Sequence, residues 1–170
     1  YYDLELATYE PPMGPGGIVE NLSANPDFEY TGNTINRVVT RGVLATTRGR
    51  IRIENNRFLN TGMSGILISD DASDWYESGP VRDVIIRGNA FMNCEENAIL
   101  IKPETRRYAG AVHQNILIEN NLFVLNNIYG VNVCNSDNVT LKDNVYKGRP
   151  LNGKWVNARN TENLVTDCPK

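Results

Sequence analysis

A repeated segment that ends in asparagine limits the folds open to this chain more than any other feature of its sequence. Each copy alternates apolar and other residues and then places Asn just before a turn. The copies are IRIENNRF (51–58), VIIRGNAF (84–91), ILIENNLF (116–123), VTLKDNVY (139–146) and a weaker FEYTGNTI (28–35). The asparagines are Asn33, Asn56, Asn89, Asn121 and Asn144, at intervals of 23, 33, 32 and 23 residues. Self-similarity at such periods is typical of solenoid proteins.

A second family of strand-like segments keeps the same phase. Its members are GVLA (42–45), GILI (65–68), AILI (98–101), GVNV (130–133) and KWVN (154–157). The two longer repeats carry their additional residues after this second strand. Short strands at this period, without a helical periodicity, predict an all-β chain that forms a right-handed parallel β-helix, a pectin-lyase-like solenoid, of about five to six coils. We expect the asparagine amides to hydrogen-bond from coil to coil.

The sequence predicts a single β-helix domain over residues 1–170. Residues 1–17, which include PPMGPGG, are expected to form a lead-in loop, residues 18–165 the coils and residues 166–170 a tail. The chain begins Tyr1-Tyr2-Asp3 without Met. We therefore expect it to be part of a longer parent chain.

Charge and composition argue against several classes of function. A net charge of −3 and a pI near 5.2 offer no basic surface for nucleic acid. No apolar run approaches the roughly 18 residues that a membrane span needs. The single His113 and the lack of a Cys-x-x-Cys sequence argue against a zinc site, and no calcium loop of recognisable spacing occurs. Neither a metal nor a cofactor is predicted. Cys94 and Cys134 are interpreted as small buried apolar residues.

Strand alternation predicts where a site lies. Val43, Ala45 and their counterparts face inward, so residues at the strand ends fall into outward rows. The first row contains Thr46, Ser69, Lys102 and Cys134, and the second contains Arg48, Asp71, Glu104 and Ser136. Asp71 and Glu104 then lie on neighbouring coils about 4.7–4.9 Å apart. Two carboxylates at that spacing repel, so one pKa is expected to rise, and such a divided pair suits glycosidic hydrolysis.

The loop after the second strand, SDDASDWYESGPVRD, begins at this row and could form the wall of a groove. Trp75 or Tyr76 offers a face for stacking on a sugar, and Glu77 is within reach if the loop folds back. Asp70 is expected to point toward the turn, and Asp70 and Lys102 complete the candidate set. In the alternative interpretation the acidic residues only form turns and surface charge. A lyase or epimerase on the same fold would instead need a base beside Lys or Arg, often with calcium.

The segments RGVLATTRGRIRIENNRF, GILISDDASDWYESGPVRDVIIRGNAF and AILIKPE, with ENL near residue 20, resemble glycoside hydrolase family 110. Its members are bacterial α-1,3-galactosidases that release terminal galactose with inversion. The resemblance implies acidic motif positions at Asp71, Glu77 and Glu104, and substrate-binding positions at Trp75, Arg41 and Arg48. It also implies a carbohydrate substrate and an extracytoplasmic location. Because family members are much longer, we expect a fragment or minimal relative, and a non-catalytic carbohydrate-binding or structural β-helix is the alternative.

Three leucines are predicted to form an apolar row on the outer surface. Leu44, Leu67 and Leu100, followed by Asn132, occupy the position between the two inward residues of each second strand. Contiguous exposed apolar area usually marks an interface. We therefore expect this row to be covered by a second copy of the chain, by residues 1–17 or by a further domain. In the alternative phase, the leucines would point into the core.

Overall fold

The computed structural model describes residues 22–71, 74–75, 79–105 and 108–167. Within them the chain forms strands and two short 3-10 helices, Leu22–Ala24 and Leu151–Gly153. The strands of the first half are β1 (Phe28–Thr31), β2 (Thr34–Val38), β3 (Val43–Ala45), β4 (Arg50–Glu54), β5 (Arg57–Thr61), β6 (Ile66–Ile68) and β7 (Asp83–Arg87). Those of the second half are β8 (Ala90–Met92), β9 (Ile99–Ile101), β10 (His113–Glu119), β11 (Leu122–Asn126), β12 (Val131–Lys142), β13 (Val145–Arg149) and β14 (Val156–Thr166).

The strands pair in parallel with their equivalents one coil away. One ladder runs β1-β4-β7-β10-β12, a second runs β3-β6-β9-β12, and a third runs β2-β5-β8-β11-β13. The first two ladders join because β12 continues through a corner, pairing first with β9 and then with β10, and β14 pairs along β12. The described residues thus form five coils and the start of a sixth, which confirms the predicted parallel β-helix.

Inward side chains build a column of aromatic and aliphatic residues. Phe58 and Phe91 stack with ring centroids 4.9 Å apart, and Phe91 and Phe123 with centroids 5.2 Å apart. Tyr146 and Trp155 continue this stack. The three phenylalanines are fully buried because each follows the turn asparagine by two residues and points inward. Each coil therefore covers the apolar interior of its neighbour.

The turn asparagines form the predicted ladder. The Asn56 backbone N–H and side-chain amide donate to Asn89 Oδ1 at 2.9 and 3.0 Å, and Asn89 does the same to Asn121. Each amide also donates to a backbone carbonyl, as Asn89 does to Ile53 at 2.8 Å. Asn33 and Asn144 extend the ladder at its two ends. This bonding satisfies polar groups that are almost completely buried.

The outward rows agree with the prediction on the earlier coils and differ on the later one. Leu44, Leu67 and Leu100 pair in register and each lies between two buried residues, so the row of leucines faces away from the core. The alternative phase is therefore wrong. Ser136 is completely buried and pairs with His113 rather than extending the outward row. The prediction that Ser136 faces outward is wrong. Cys134 is also buried, but its Sγ lies 4.0 Å from Oδ1 of Asn132, which faces outward. Cys94 and Cys134 are buried thiols, as predicted.

Candidate active site

The two predicted carboxylates lie on adjacent coils. Asp71 and Glu104 form a parallel β-bridge beyond the ends of β6 and β9. The Lys102 N–H donates to the Ile68 carbonyl at 2.9 Å, and the Glu104 N–H donates to the Asp70 carbonyl at 2.9 Å. Backbone pairing therefore continues past both strands and fixes the two acidic residues side by side at the start of the long loops.

A pocket of about 560 Å³ opens above this bridge. Its walls are lined by Arg41, Met63, Ser69, Asp71, Trp75 and Glu104. Leu44 and Leu67 form its floor. The volume is in the range of about 300–1,000 Å³ that is typical of small-molecule sites, and the lining combines apolar surface with a few polar groups, as such sites do.

The two carboxylates of the pocket have different surroundings. Asp71 is only 8% exposed, and its Oδ1 accepts a hydrogen bond from the Asp74 N–H at 2.8 Å. The Glu104 side chain is 46% exposed, and its Oε1 lies 2.8 Å from Lys102 Nζ. When two carboxyl groups have unlike environments, one can act as an acid and the other as a base.

Trp75 and Arg41 supply the groups expected to hold a ligand. Trp75 is 79% exposed although its side chain lines the pocket, so an indole face is open to solvent. Arg41 Nη1 lies 3.9 Å from Met63 Sδ, which lines the same pocket. An aromatic face next to polar groups suits a sugar ring, which carries both apolar faces and hydroxyl groups.

Three of the predicted residues have other surroundings. Asp70 and Arg48 are not among the side chains that line the pocket. Burial raises the pKa of the Asp70 carboxyl, and the nearby Arg48 and Arg82 guanidinium groups oppose that shift. Lys102 pairs with Glu104 and lines a second hollow. Glu77 and Tyr76 lie outside the described residues.

The sequence did not indicate Met63 as part of the site, nor the leucines as its floor. Met63 belongs to the turn TGMSG that precedes β6, and Arg41 occupies the matching turn 22 residues earlier, close to one coil away. Placing the turns that precede the second strands in register would have brought Arg41 and Met63 together. Strand alternation predicts an exposed leucine row, which favours an interface, but it does not show that Trp75 of the long loop lines the same pocket as Leu44 and Leu67.

Neither a metal-binding cluster nor a membrane-spanning helix occurs in the described part of the chain. No three His, Cys, Asp or Glu side chains of residues 22–71, 74–75, 79–105 and 108–167 come together to hold a metal ion. In the same residues, no helix has the length and apolar character needed to cross a bilayer.

The family model described as "Right handed beta helix region" matches residues 16–168. The chain belongs to this family. Membership of the right-handed β-helix family confirms the handedness that the repeats predicted, and the parallel ladders of the structure agree with it.

Curated relatives link this β-helix to one group of proteins. The chain is 52% identical over 102 residues to a protein of Bacteroides thetaiotaomicron named alpha-1,3-galactosidase A, covering 60% of the chain and 18% of the relative. Proteins of the same name from Peterkaempfera griseoplana and Akkermansia muciniphila are 50% and 42% identical, over 62% and 68% of the chain and 15% and 20% of the relatives. The resemblance to α-1,3-galactosidases is thereby confirmed. The aligned part spans about a fifth or less of each relative's length.

Proposed function

We propose that the pocket at Asp71 and Glu104 is the active site of an inverting glycoside hydrolase that removes terminal α-linked galactose. The observation that carries the proposal is the pairing of two carboxylates from adjacent coils in one pocket with an exposed tryptophan. The names of the similar proteins support the substrate class. An extracytoplasmic location is proposed with it, on the same resemblance.

In the proposed reaction, one carboxyl group donates its proton to the glycosidic oxygen as the bond to the anomeric carbon breaks. The other carboxylate takes a proton from a water molecule, whose oxygen forms the new bond on the opposite face of the sugar. Galactose leaves with inverted anomeric configuration, and the shortened acceptor leaves with the donated proton. The two carboxyl groups then exchange protons with solvent and return to their starting states.

Inversion needs carboxyl groups about 6.5–9.5 Å apart, which is more than the spacing of about 4.7–4.9 Å between adjacent strands. The two side chains have separate partners. Glu104 is held by Lys102, two residues before it, and Asp71 accepts from the Asp74 N–H in the loop that follows it. We propose that these separate contacts hold the two carboxyl groups at the distance that inversion needs. Glu77 remains a proposed third acidic residue, and Arg48 and Asp70 remain proposed substrate-binding residues.

Release of galactose tests this function. We expect the chain to hydrolyse an α-1,3-linked galactose disaccharide, and Asp71→Asn and Glu104→Gln each to lower kcat by about 100-fold or more, since general acid–base catalysis contributes roughly 10²–10⁴-fold. Asp83→Asn is the matched control because Asp83 pairs with Arg52 outside the pocket. Wild-type turnover equal to that of the double variant Asp71→Asn/Glu104→Gln would overturn the proposal.

The same variants assign the two roles. Loss of the acid is less severe for a nitrophenyl galactoside, whose leaving group needs little protonation. Loss of the base is rescued by azide, which replaces the activated water and yields the β-linked galactosyl azide. One of the two variants should therefore lose less activity on the nitrophenyl galactoside than on the disaccharide, and the other should be rescued by azide. If the chain binds the disaccharide without releasing galactose, the non-catalytic carbohydrate-binding function is the correct one.

A further inference from the structure

A second hollow lies next to the candidate active site on the same face of the β-helix. It has a volume of about 460 Å³, and its lining includes Asn97, Leu100, Lys102, Tyr129 and Asn132. The first pocket lies above β3, β6 and the residues after them, whereas this hollow lies above β9 and the start of β12.

The two hollows share one continuous floor. Leu44 pairs with Leu67, Leu67 pairs with Leu100, and Leu100 pairs with Asn132. The first two of these residues line the pocket and the last two line the second hollow. Each step along the row is one coil, about 4.7–4.9 Å. That step is close to the length that one sugar residue adds to an oligosaccharide chain.

The Lys102–Glu104 ion pair lies at the junction of the two hollows. Lys102 lines the second hollow, Glu104 lines the pocket, and their charged groups are 2.8 Å apart. A bond cleaved beside Glu104 would therefore have one sugar in the pocket and the next sugar beyond Lys102. An acceptor sugar placed there leaves along the open groove.

Half-buried groups in the second hollow match the surface of a sugar. The Tyr129 ring and Leu100 offer apolar surface, and Asn97 and Asn132 offer amide groups. Among the described residues, neither the Tyr129 hydroxyl nor the Asn97 side-chain amide has a hydrogen-bond partner. An aromatic ring beside such groups suits one sugar face together with the hydroxyl groups at its edge.

We infer that the second hollow binds the sugar on the reducing side of the cleaved bond, so that the groove selects oligosaccharides over single galactosides. Because this assignment rests on the proposed function, its test includes a binding measurement that does not need catalysis. When substrate is bound, the occupant of the second hollow is the second sugar, because the floor is continuous with the catalytic pocket and ends at an amide, Asn132.

The test compares two substrates. In α-galactosyl fluoride the leaving group is a single atom and reaches no further than the pocket, whereas the α-1,3-linked disaccharide also extends into the second hollow. For Tyr129→Ala and for Asn97→Ala, we expect the ratio of kcat/KM for the disaccharide to kcat/KM for the fluoride to fall about 10-fold. Tyr108→Ala is the matched control, since Tyr108 is an exposed tyrosine that lines neither hollow, and it should keep the wild-type ratio.

An unchanged ratio in both variants would overturn the assignment, and so would an equal loss on both substrates. If the wild type turns over neither substrate, the proposed function fails but the assignment is still measurable by titration calorimetry. The disaccharide should then bind more tightly than galactose, and Tyr129→Ala should remove that difference. Equal affinity for galactose and the disaccharide would overturn it.

Discussion

At the scale of single residues, His113 places a titratable group inside the core of the β-helix. Its side chain is completely buried at the start of β10. Nδ1 accepts a hydrogen bond from the Val81 N–H at 3.2 Å, and Nε2 has no partner among the described residues. Burial, with a smaller contribution from the Arg82 guanidinium, lowers the pKa of His113 to about 4. The folded state therefore holds the neutral ring.

This predicts a loss of stability in mild acid. In the folded state the pKa of His113 is below its ordinary value of 6.5. The stability that depends on the neutral ring is therefore fully present above pH 6.5 and is lost as the pH falls from 6.5 toward about 4. A shift of that size corresponds to about 3 kcal/mol in the free energy of unfolding. Urea unfolding between pH 7.5 and 4.5 should show this loss in the wild type and a smaller one in His113→Gln. Equal pH dependence in the two proteins would contradict the prediction.

At the scale of elements, the asparagine ladder joins neighbouring coils at the turns between β1 and β2, β4 and β5, β7 and β8, and β10 and β11. Asn89 accepts two hydrogen bonds from Asn56 and donates to the Ile53 carbonyl and to Asn121. Each of these groups is buried, so removing the Asn89 amide leaves polar groups without partners. An unsatisfied buried group costs about 1–3 kcal/mol.

We therefore expect Asn89→Ala to lower the free energy of unfolding by about 2–4 kcal/mol. Asn33→Ala is the matched control at the exposed end of the same ladder, where the amide donates to Thr31 at 3.0 Å, and it should cost less than about 1 kcal/mol. Chemical denaturation of both variants measures the difference. Equal destabilisation by the two variants would show that burial does not determine how much a ladder asparagine contributes to the free energy of unfolding.

The order and register of the strands were predictable because the turn asparagines and the second strands recur at the same intervals. The same register placed Asp71 beside Glu104, since pairing continues past β6 and β9. It failed at Ser136 because β12 passes through a corner at Asn135, whose φ of 49° is in the left-handed region. Alternation with a period of two residues does not continue through such a residue.

A second asparagine ladder was not predicted. Asn60 donates to Asn36 at 2.9 Å, and Asn93 donates to Asn60 at 3.1 Å. Asn60 and Asn93 both adopt positive φ, which asparagine tolerates better than most residues. These residues lie at different distances from the strand repeats than the turn asparagines do, so the sequence pattern alone did not separate them from ordinary polar residues. The residues of the long loops, such as Glu77, are likewise not set by the repeat, so the repeat does not predict their positions.

At the scale of the whole molecule, the leucine row joins three coils into one apolar strip. Leu44 is 37% exposed, and Leu67 and Leu100 are partly exposed. The strip forms the floor of both hollows, yet contiguous apolar area of this kind also favours contact with another protein surface. The leucine strip could be covered by an oligosaccharide, by residues 1–17 or by a second copy of the chain. These three would compete, because each would bury the same side chains.

This competition predicts how assembly responds to ligand and to a charge. Burying one leucine side chain completely contributes roughly 1.5–3 kcal/mol, which is enough for weak self-association through three of them. We expect light scattering to show that the wild type associates at high concentration and that the α-1,3-linked disaccharide reverses this association. Leu67→Asp should remain a monomer at every concentration. Val39→Asp is the matched control, since Val39 is 89% exposed and lines neither hollow, and it should associate as the wild type does. A wild type that stays monodisperse would contradict assembly through the strip, and association that the disaccharide leaves unchanged would place the contact elsewhere on the β-helix.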